Sequence, residues 1–571
     1  EWERYEGMLV RFTNSLTVAQ NYFLGRYGQL SLSAGRLEAP TNRYRPGTPE
    51  ALALAASNAA NLIILDDGLS SQNPNPIPYI GLDNTVRAGD TASNVTGVVD
   101  FGLLTSSNTG PTGYKLQPSV TPTFSRSNPR TTAPEAVGGN IKVASFNVLN
   151  FFTTFTDGKT ADGRTGQGCT LGGASAASNC RGASNLAEFT RQRAKIVAAM
   201  KTIDADVFGL MEMQNNGDEA ISNLVNGLNA EIGSVTYAAV PVPVSISGDD
   251  AIRVAMIYKP AKLSLVGNAL TDTDPINNRP PLAQTFALGN GKRFSVIVNH
   301  LKSKSSCPTD SSANTDQGDG QACWNLLRTQ QAQRLVNVFI PQVQALAQDT
   351  DVLTIGDFNA MGAEDPTIAM INGGMVSEIE RFVRPHGTPY SFIFDSYSGY
   401  LDHAFSTPSL SAKVTNVAEW HINADEPSVI DYNTEFRTQD LYAVSPFRSS
   451  DHDPVIIGLN LQAAPVDVST QVTSVSSGLV LNRATQLYNG TITITNKGST
   501  TLTGPFQVEL NNLSSGVTLA NASGNHNGVP YITASANSLA PGKSVSVAIS
   551  LRNPNKVNVS YVVKTWTGSF Q

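Results

Sequence analysis

No apolar run in this chain is long enough to cross a bilayer, which excludes a helical membrane anchor within the sequence given. Net positive charge is missing too: 39 Lys and Arg against 46 Asp and Glu leave −7, so contact with a polyanion must come from a local patch. Cysteine is scarce. The four present form two local pairs, Cys169 with Cys180 and Cys307 with Cys323, each flanking a loop rich in Gly, Ser, Asp and Asn. Nothing else with ligand chemistry stands at zinc spacing beside them, so two short-range disulfides and an oxidising compartment are expected. The sequence opens Glu-Trp-Glu-Arg without Met or signal peptide and is read as a mature or trimmed chain, secreted in keeping with the oxidising compartment.

What is present is length and alternation. With 571 residues the chain exceeds one core and predicts several domains. Residues 1–117 alternate short apolar runs with turn residues, with one Ala-rich helix from Pro49 to Leu65, and predict a small β-rich module. Residues 118–140, carrying four prolines among Ser and Thr, read as a linker. From 141 to 462 strand and helix signals alternate, predicting an α/β domain, with helices at Phe189–Met200, Ala220–Asn229 and Asn325–Ile340, the last ending before Pro341. Residues 465–571 show only alternating strands between Gly, Asn and Pro turns, as an immunoglobulin-like β-sandwich does.

The central strands share a chemistry at their ends. Val352-Leu353-Thr354-Ile355 is a buried strand broken by Gly356, and Asp357 and Asn359 follow at once. Asn147 ends another strand, Glu212 a third and His300 a fourth; Asp402-His403 and Asp451-His452-Asp453 introduce two more. Hard oxygen donors in this number, without thiolates, suit Mg²⁺, Mn²⁺ or Ca²⁺ rather than zinc, and histidines beside them supply acid–base chemistry near neutral pH. A structural Ca²⁺ in the acidic loops 157–168 or 310–320 is a further cofactor expectation, although neither follows the EF-hand register.

The motifs SFNVLNFF, GLMEMQ, NHLKSK, GDFNA, YLDHAF and SDHDPV, in this order over residues 141–461, resemble the endonuclease/exonuclease/phosphatase superfamily. With EGMLVRF, NYFLGRYGQL and ILDDG in the first module, the chain is similar to bacterial extracellular nucleases of the ExeM/NucH type. The resemblance implies a four-layer α/β sandwich of two mixed sheets flanked by helices, preceded by a module like the oligonucleotide-binding fold. It further implies metal held by Asn147, Glu212 and Asp451, with Asp451 alternatively orienting His452. His452 is then the general base, Asp357 the residue addressing the attacking water, and Asn359 a stabiliser of phosphoryl charge. Asp402 is a further phosphate-site or metal residue, and His300 the acid or phosphate contact. The partner of the His452 ring stays open between Asp451 and Asp357. Tyr258, Arg279 and Asp250 resemble substrate-contacting positions, Asp250 being equally readable as part of a solvated turn.

The expected function is therefore hydrolysis of phosphodiester bonds in DNA, with RNA as a second polymer. Two alternatives stand beside it: the same fold acting on phospholipid head groups or phosphomonoesters, and a surface adhesin with an inactive centre. A cell-surface or matrix polymer is the expected partner of the C-terminal domain.

Overall fold

Two six-stranded mixed sheets form the middle of the chain, and the strands that carry chemistry lie at their centres. In the first sheet β1 (Ile141–Phe151) pairs in parallel with β2 (Val207–Gln214), and Ala238–Ala239, Ile252–Tyr258, Val455–Leu459 and Val414–Glu419 complete the antiparallel flanks. In the second, β3 (Arg293–His300) pairs in parallel with β4 (Val352–Asp357), and β5 (Asp402–Ser406) lies antiparallel to β4. The Val455–Leu459 strand is β6. The computed structural model describes residues 2–104, 112–243, 248–462, 465–536 and 538–570.

Near-continuous Val, Ile, Leu and Phe in β1, β2 and β4 reflect strands covered on both faces. Outside the first sheet lie the helices Leu186–Ile203 and Glu219–Ile232, burying Phe189, Ile196, Met200, Leu224 and Leu228. Outside the second lies the Asn325–Ala347 segment, burying Leu335, Phe339 and Val343. Between the sheets the approach is close: a Cβ on Gly209 of β2 would meet Ile355 and Val298 side-chain atoms at 2.7 Å. The result is the four-layer α/β sandwich expected of the middle of the chain.

The N-terminal region is a seven-stranded sheet in the order Leu9–Arg11, Thr96–Leu103, Thr112–Pro118, Leu62–Leu65, Leu30–Ser33, Leu16–Gln20, Thr91–Ala92. Its helix stops at Ala60 and does not continue to Leu65, because Leu62-Ile63-Ile64-Leu65 is claimed as a strand between Leu30–Ser33 and Thr112–Pro118. Nor does the third central helix end before Pro341. A π-helical turn at Leu335–Phe339 precedes Ile340–Ala347, which places Pro341 in a first turn where its missing N–H costs nothing.

Residues 118–140 connect the module to the central domain, and they are tied down. Arg126 pairs with Asp83 and with Asp90 at 2.9 Å, and Arg130 reaches Glu426 with two bonds of 2.7 and 2.8 Å. A second connection is strand addition: Leu37–Glu38 pairs in parallel with Tyr397–Gly399, the second arm of a hairpin begun by Phe392–Phe394.

The C-terminal unit, from Leu461 onward with Gly289–Lys292, carries two five-stranded antiparallel sheets around Ile492, Ile494, Phe506, Val508, Ile549 and Leu551. Among the described residues no helix is long and apolar enough to cross a membrane. Both expected disulfides are present, Cys169–Cys180 and Cys307–Cys323, and are compatible with an extracellular protein.

Gly356 is where the β4 backbone needs glycine. Its φ is +133°, and an added Cβ would lie 2.0 Å from the Asn299 carbonyl oxygen on β3. Gly356→Ala should destabilise the protein by about 3 kcal/mol, measured as a fall in the urea midpoint at unchanged m-value.

Candidate active site

Strand register assembles the site. Across the second sheet His300, Asp357 and Asp402 lie directly opposite one another, so they form one row and project to the same face. The next row holds Asn299, Gly356 and His403, which project the other way. Adjacent residues Asp402 and His403 are thereby separated: the first enters the site, the second the core. In the first sheet Asn147 lies opposite Met211, one residue before Glu212, where the β1–β2 ladder shifts register ahead of its last pair, Phe151 with Met213.

The distances show what the row holds. His452 Nδ1 lies 2.7 Å from Asp402 Oδ2, which also accepts the Ser391 hydroxyl at 2.6 Å. His452 Nε2 is 3.9 Å and His300 Nε2 3.4 Å from Asp357 Oδ2. The second Asp357 oxygen accepts the Asn359 backbone N–H at 2.7 Å. Opposite stand Asn147 and Glu212: Asn147 Nδ2 is 3.2 Å from Glu212 Oε1 and 3.4 Å from Asp357 Oδ2, and Glu212 Oε2 accepts the Asn150 N–H at 2.8 Å. Glu212 (φ +64°) and Asn359 (φ +48°) both hold left-handed backbone, a conformation that strains a non-glycine residue and is concentrated at functional sites.

The electrostatics follow from packing charges in a buried place. Burial alone would lower His452, but Asp402, Asp451 and Asp357 outweigh it and hold the imidazole well above its ordinary range. Burial would raise Asp357, yet His452, His300 and the Asn359 amide bring it well below the carboxylate range. Burial raises Asp402, partly opposed by His452. Glu212 is raised by burial and by the charge of Asp451, which the two histidines only partly offset. A buried carboxylate facing a second one, with a carboxamide beside it, is an all-oxygen donor set whose repulsion a divalent cation would relieve. Among the described residues no three His, Cys, Asp or Glu close into a cage, so Asn147 and water would have to complete such a set. The acidic loops gather no calcium group either: Asp157 and Asp162 pair with Lys159 and Arg164, and Asp310 and Asp316 cap their own turns.

Several expectations need correcting. The partner of His452 is neither Asp451 nor Asp357 but Asp402, because Asp451 is its chain neighbour and projects elsewhere, whereas register brings Asp402 across. Asp402 Oδ2 is engaged by both His452 and Ser391. Tyr258 is not at the site. Its strand runs antiparallel to β2, which puts it opposite Val207 at the far end of the sheet, with its ring against Phe286. Arg279 is buried and backs His300, with Nη1 3.0 Å from His300 Nε2 and Nη2 donating to the Leu301 carbonyl at 2.5 Å. Asp250 pairs with Arg181 at 3.2 Å and approaches Arg279 at 3.9 Å, so it reaches His300 only through Arg279. The Asn359 amide donates to the Leu301 carbonyl at 3.2 Å.

Sequence reasoning missed Ser391 and Asn423. The Asn423 carboxamide oxygen accepts the N–H groups of Ser449 and Ser450, and its nitrogen donates to the His452 carbonyl at 2.7 Å, which fixes the loop bearing His452. Asp453, left without a role, anchors the other side of that loop by accepting the Asn423 N–H at 2.7 Å and pairing with His421. No local motif marks such a loop clamp.

His403, facing the core, donates from Nε2 to the Ala360 carbonyl at 2.8 Å and stacks on Phe405. Burial pushes its pKa down to about 4. In unfolded chain the value is about 6.5, so between the two the unfolded state binds the extra proton and stability rises with pH. The stability present above pH 6.5 should therefore be lost, by about 3 kcal/mol, on acidification to about pH 4, and His403→Phe should flatten that slope in urea unfolding at several pH values.

Comparison with solved structures gives similarity to a mannosyl-6-phosphatase of Bacteroides thetaiotaomicron (15% identity, 56% of this chain and 99% of that chain, TM-score 0.34). The human Nocturnin catalytic domain with bound sulfate is similar at 15% identity, covering 56% of this chain and 92% of that one, with TM-score 0.33. D. rerio TDP2 complexed with a single-strand DNA product matches at 13% identity, over 56% of this chain and 97% of that one, with TM-score 0.33. The curated proteins contain no match. The family model described as Endonuclease/Exonuclease/phosphatase family matches residues 144–452, more than half of the chain and the whole span from β1 to His452. The chain therefore belongs to the endonuclease/exonuclease/phosphatase family.

Proposed function

We propose that this protein is a secreted, Mg²⁺- or Mn²⁺-dependent phosphodiesterase that hydrolyses nucleic acid, DNA first and RNA second. The observation that carries the reading is the His300–Asp357–Asp402 row with His452 held on Asp402, facing the oxygen donors of Asn147 and Glu212. Once the imidazolium of His452 has lost a proton, which its raised pKa sets on the alkaline side of an ordinary histidine, Asp402 accepts the proton on Nδ1 and Nε2 is left to take one from an attacking water in the direction of Asp357. His300, with the Arg279 guanidinium against both its ring nitrogens, stands on the other side of Asp357 as the second histidine of the site, facing the phosphoryl group. Asn147, Glu212 and Asp451 would hold the divalent cation, which neutralises charge on the phosphoryl group when bound. The two disulfides support an extracellular setting. Similarity to the ExeM/NucH type, an oligonucleotide-binding-like first module and an immunoglobulin-like last domain that takes surface polymer belong to the same proposal.

The test is supercoiled plasmid with Mg²⁺ or Mn²⁺, and EDTA as control. Nicking that EDTA abolishes is expected. No nicking in any divalent metal, together with release of phosphocholine from sphingomyelin or of phosphate from a monoester, would overturn the nucleic-acid reading in favour of the same fold on another ester.

A further inference from the structure

We propose that a cleft beside the site is a nucleobase-stacking subsite for a single-stranded stretch of nucleic acid, built jointly by the N-terminal module and the central domain; this rests on the phosphodiesterase reading and names its substrate form. The cleft measures about 290 Å³ and runs outward from Asp451. On one wall Phe392 lies against the His452 ring, centroids 4.7 Å apart, and Phe394 follows it at 6.4 Å with nearly parallel planes. On the other wall are Tyr22 and Phe23 of the N-terminal module, rings 5.1 Å apart edge to face.

Three of these rings are open to solvent, Phe394 by 60%, Tyr22 by 55% and Phe23 by 37%. A ring exposed to this extent is unremarkable singly, but four aromatics around one cleft, one of them packed on the His452 ring, are a contiguous apolar surface with a function to explain. The presentation is rigid. Phe392 and Phe394 sit on a hairpin closed by Asp395 and Ser396, both at positive φ as a type I′ turn requires, and the far arm is held by strand pairing to Leu37–Glu38.

Arg448 supplies charge in the same cleft. It is 9% exposed, its Nη1 donates to the carbonyls of Asn423 at 2.8 Å and Glu426 at 3.1 Å, and its Nε has no partner. Among the described residues Arg448 forms no ion pair, and it shares the cleft lining with the carboxylates of Asp395 and Asp451. A cation beside stacking faces, one residue layer from a phosphate-processing site, matches a nucleotide chain: phosphate toward Arg448, bases between rings. A paired duplex keeps its base faces stacked inside, whereas an unpaired strand can offer them to rings.

The experiment measures Kd by fluorescence anisotropy, in the His452→Ala background with Mg²⁺, for a labelled 12-nucleotide single strand and the matching duplex. Tyr22→Ala and Phe394→Ala should each weaken single-strand binding about tenfold, with a smaller effect on duplex, and Phe394→Trp should restore it. Leu82→Ala, exposed away from the cleft, should leave both unchanged. Unchanged single-strand Kd in the Tyr22 and Phe394 variants, with plasmid still nicked by the unsubstituted protein, would overturn the subsite and leave the phosphodiesterase reading standing. Equal weakening of single strand and duplex would overturn the single-strand assignment. Absence of both binding and nicking in the unsubstituted protein would remove the reading and the subsite together.

Discussion

Asp402→Asn lowers kcat/KM for phosphodiester hydrolysis by about 10²- to 10⁴-fold while the protein remains folded. The carboxylate accepts a hydrogen bond from His452 Nδ1 at 2.7 Å and so determines which ring nitrogen is free. An asparagine amide in that place can donate to Nδ1, which favours the tautomer with the proton on Nε2 and removes the base. A merely structural Asp402 would instead give loss of folded protein in parallel with loss of rate. The discriminating measurements are circular dichroism and a pH–rate profile. The acidic limb reports the protonated imidazole, and without the carboxylate it should move to lower pH, because Asp402 is one of the charges that hold His452 high. His452→Ala should cost as much in rate, and its profile should lose that limb altogether. Activity within threefold of the unsubstituted protein in both variants would sink the proposed chemistry.

The second large effect is on stability. Arg87→Met should destabilise the protein by about 3–5 kcal/mol, since removing one partner of a buried ion network leaves the opposite charge uncompensated. Arg87, 2% exposed, pairs with Glu426, approaches Asp425 at 3.4 Å and donates to the His421 carbonyl at 2.7 Å. Glu426 also takes Arg130 and the Thr85 hydroxyl, and Asp425 takes Arg36 at 2.9 Å and Asn128 at 2.7 Å. Burial would raise both carboxyls, but the arginines around them hold both below the ordinary range, so the native state keeps them charged. Urea unfolding should show the loss, and adding Glu426→Gln to Arg87→Met should return part of it. Full retention of stability in the single variant would contradict the role given to this network.

The chemistry was legible in the sequence where it is local. Each strand-end motif places its own Asn, Asp, Glu or His at the end of an apolar run, and Asn147, Glu212, His300, Asp357 and His452 come together in space as that pattern implies. Pairing was not legible, because it depends on register between strands far apart in sequence: Asp451 and Asp357 offered His452 a carboxylate as well, until the β4–β5 alignment placed Asp402 against its ring. Strand direction was the missing fact for Tyr258. Leu62–Leu65 read as the end of a helix because a four-residue apolar run carries no period of its own, and only the sheet beside it decides. The clamp of Asn423 on the 449–452 loop is set by tertiary contact alone and has no motif.

The bond between Arg87 and Glu426 spans 339 positions. A chain made at roughly 5–20 residues per second needs about 20–70 s to reach the second partner after the first has emerged. For that interval the N-terminal sheet carries a buried-to-be guanidinium with nothing opposite it, as does Thr41, whose hydroxyl awaits Glu364 323 residues later. The first module is therefore made before the partners it needs, and its consolidation waits until most of the central domain has been synthesised.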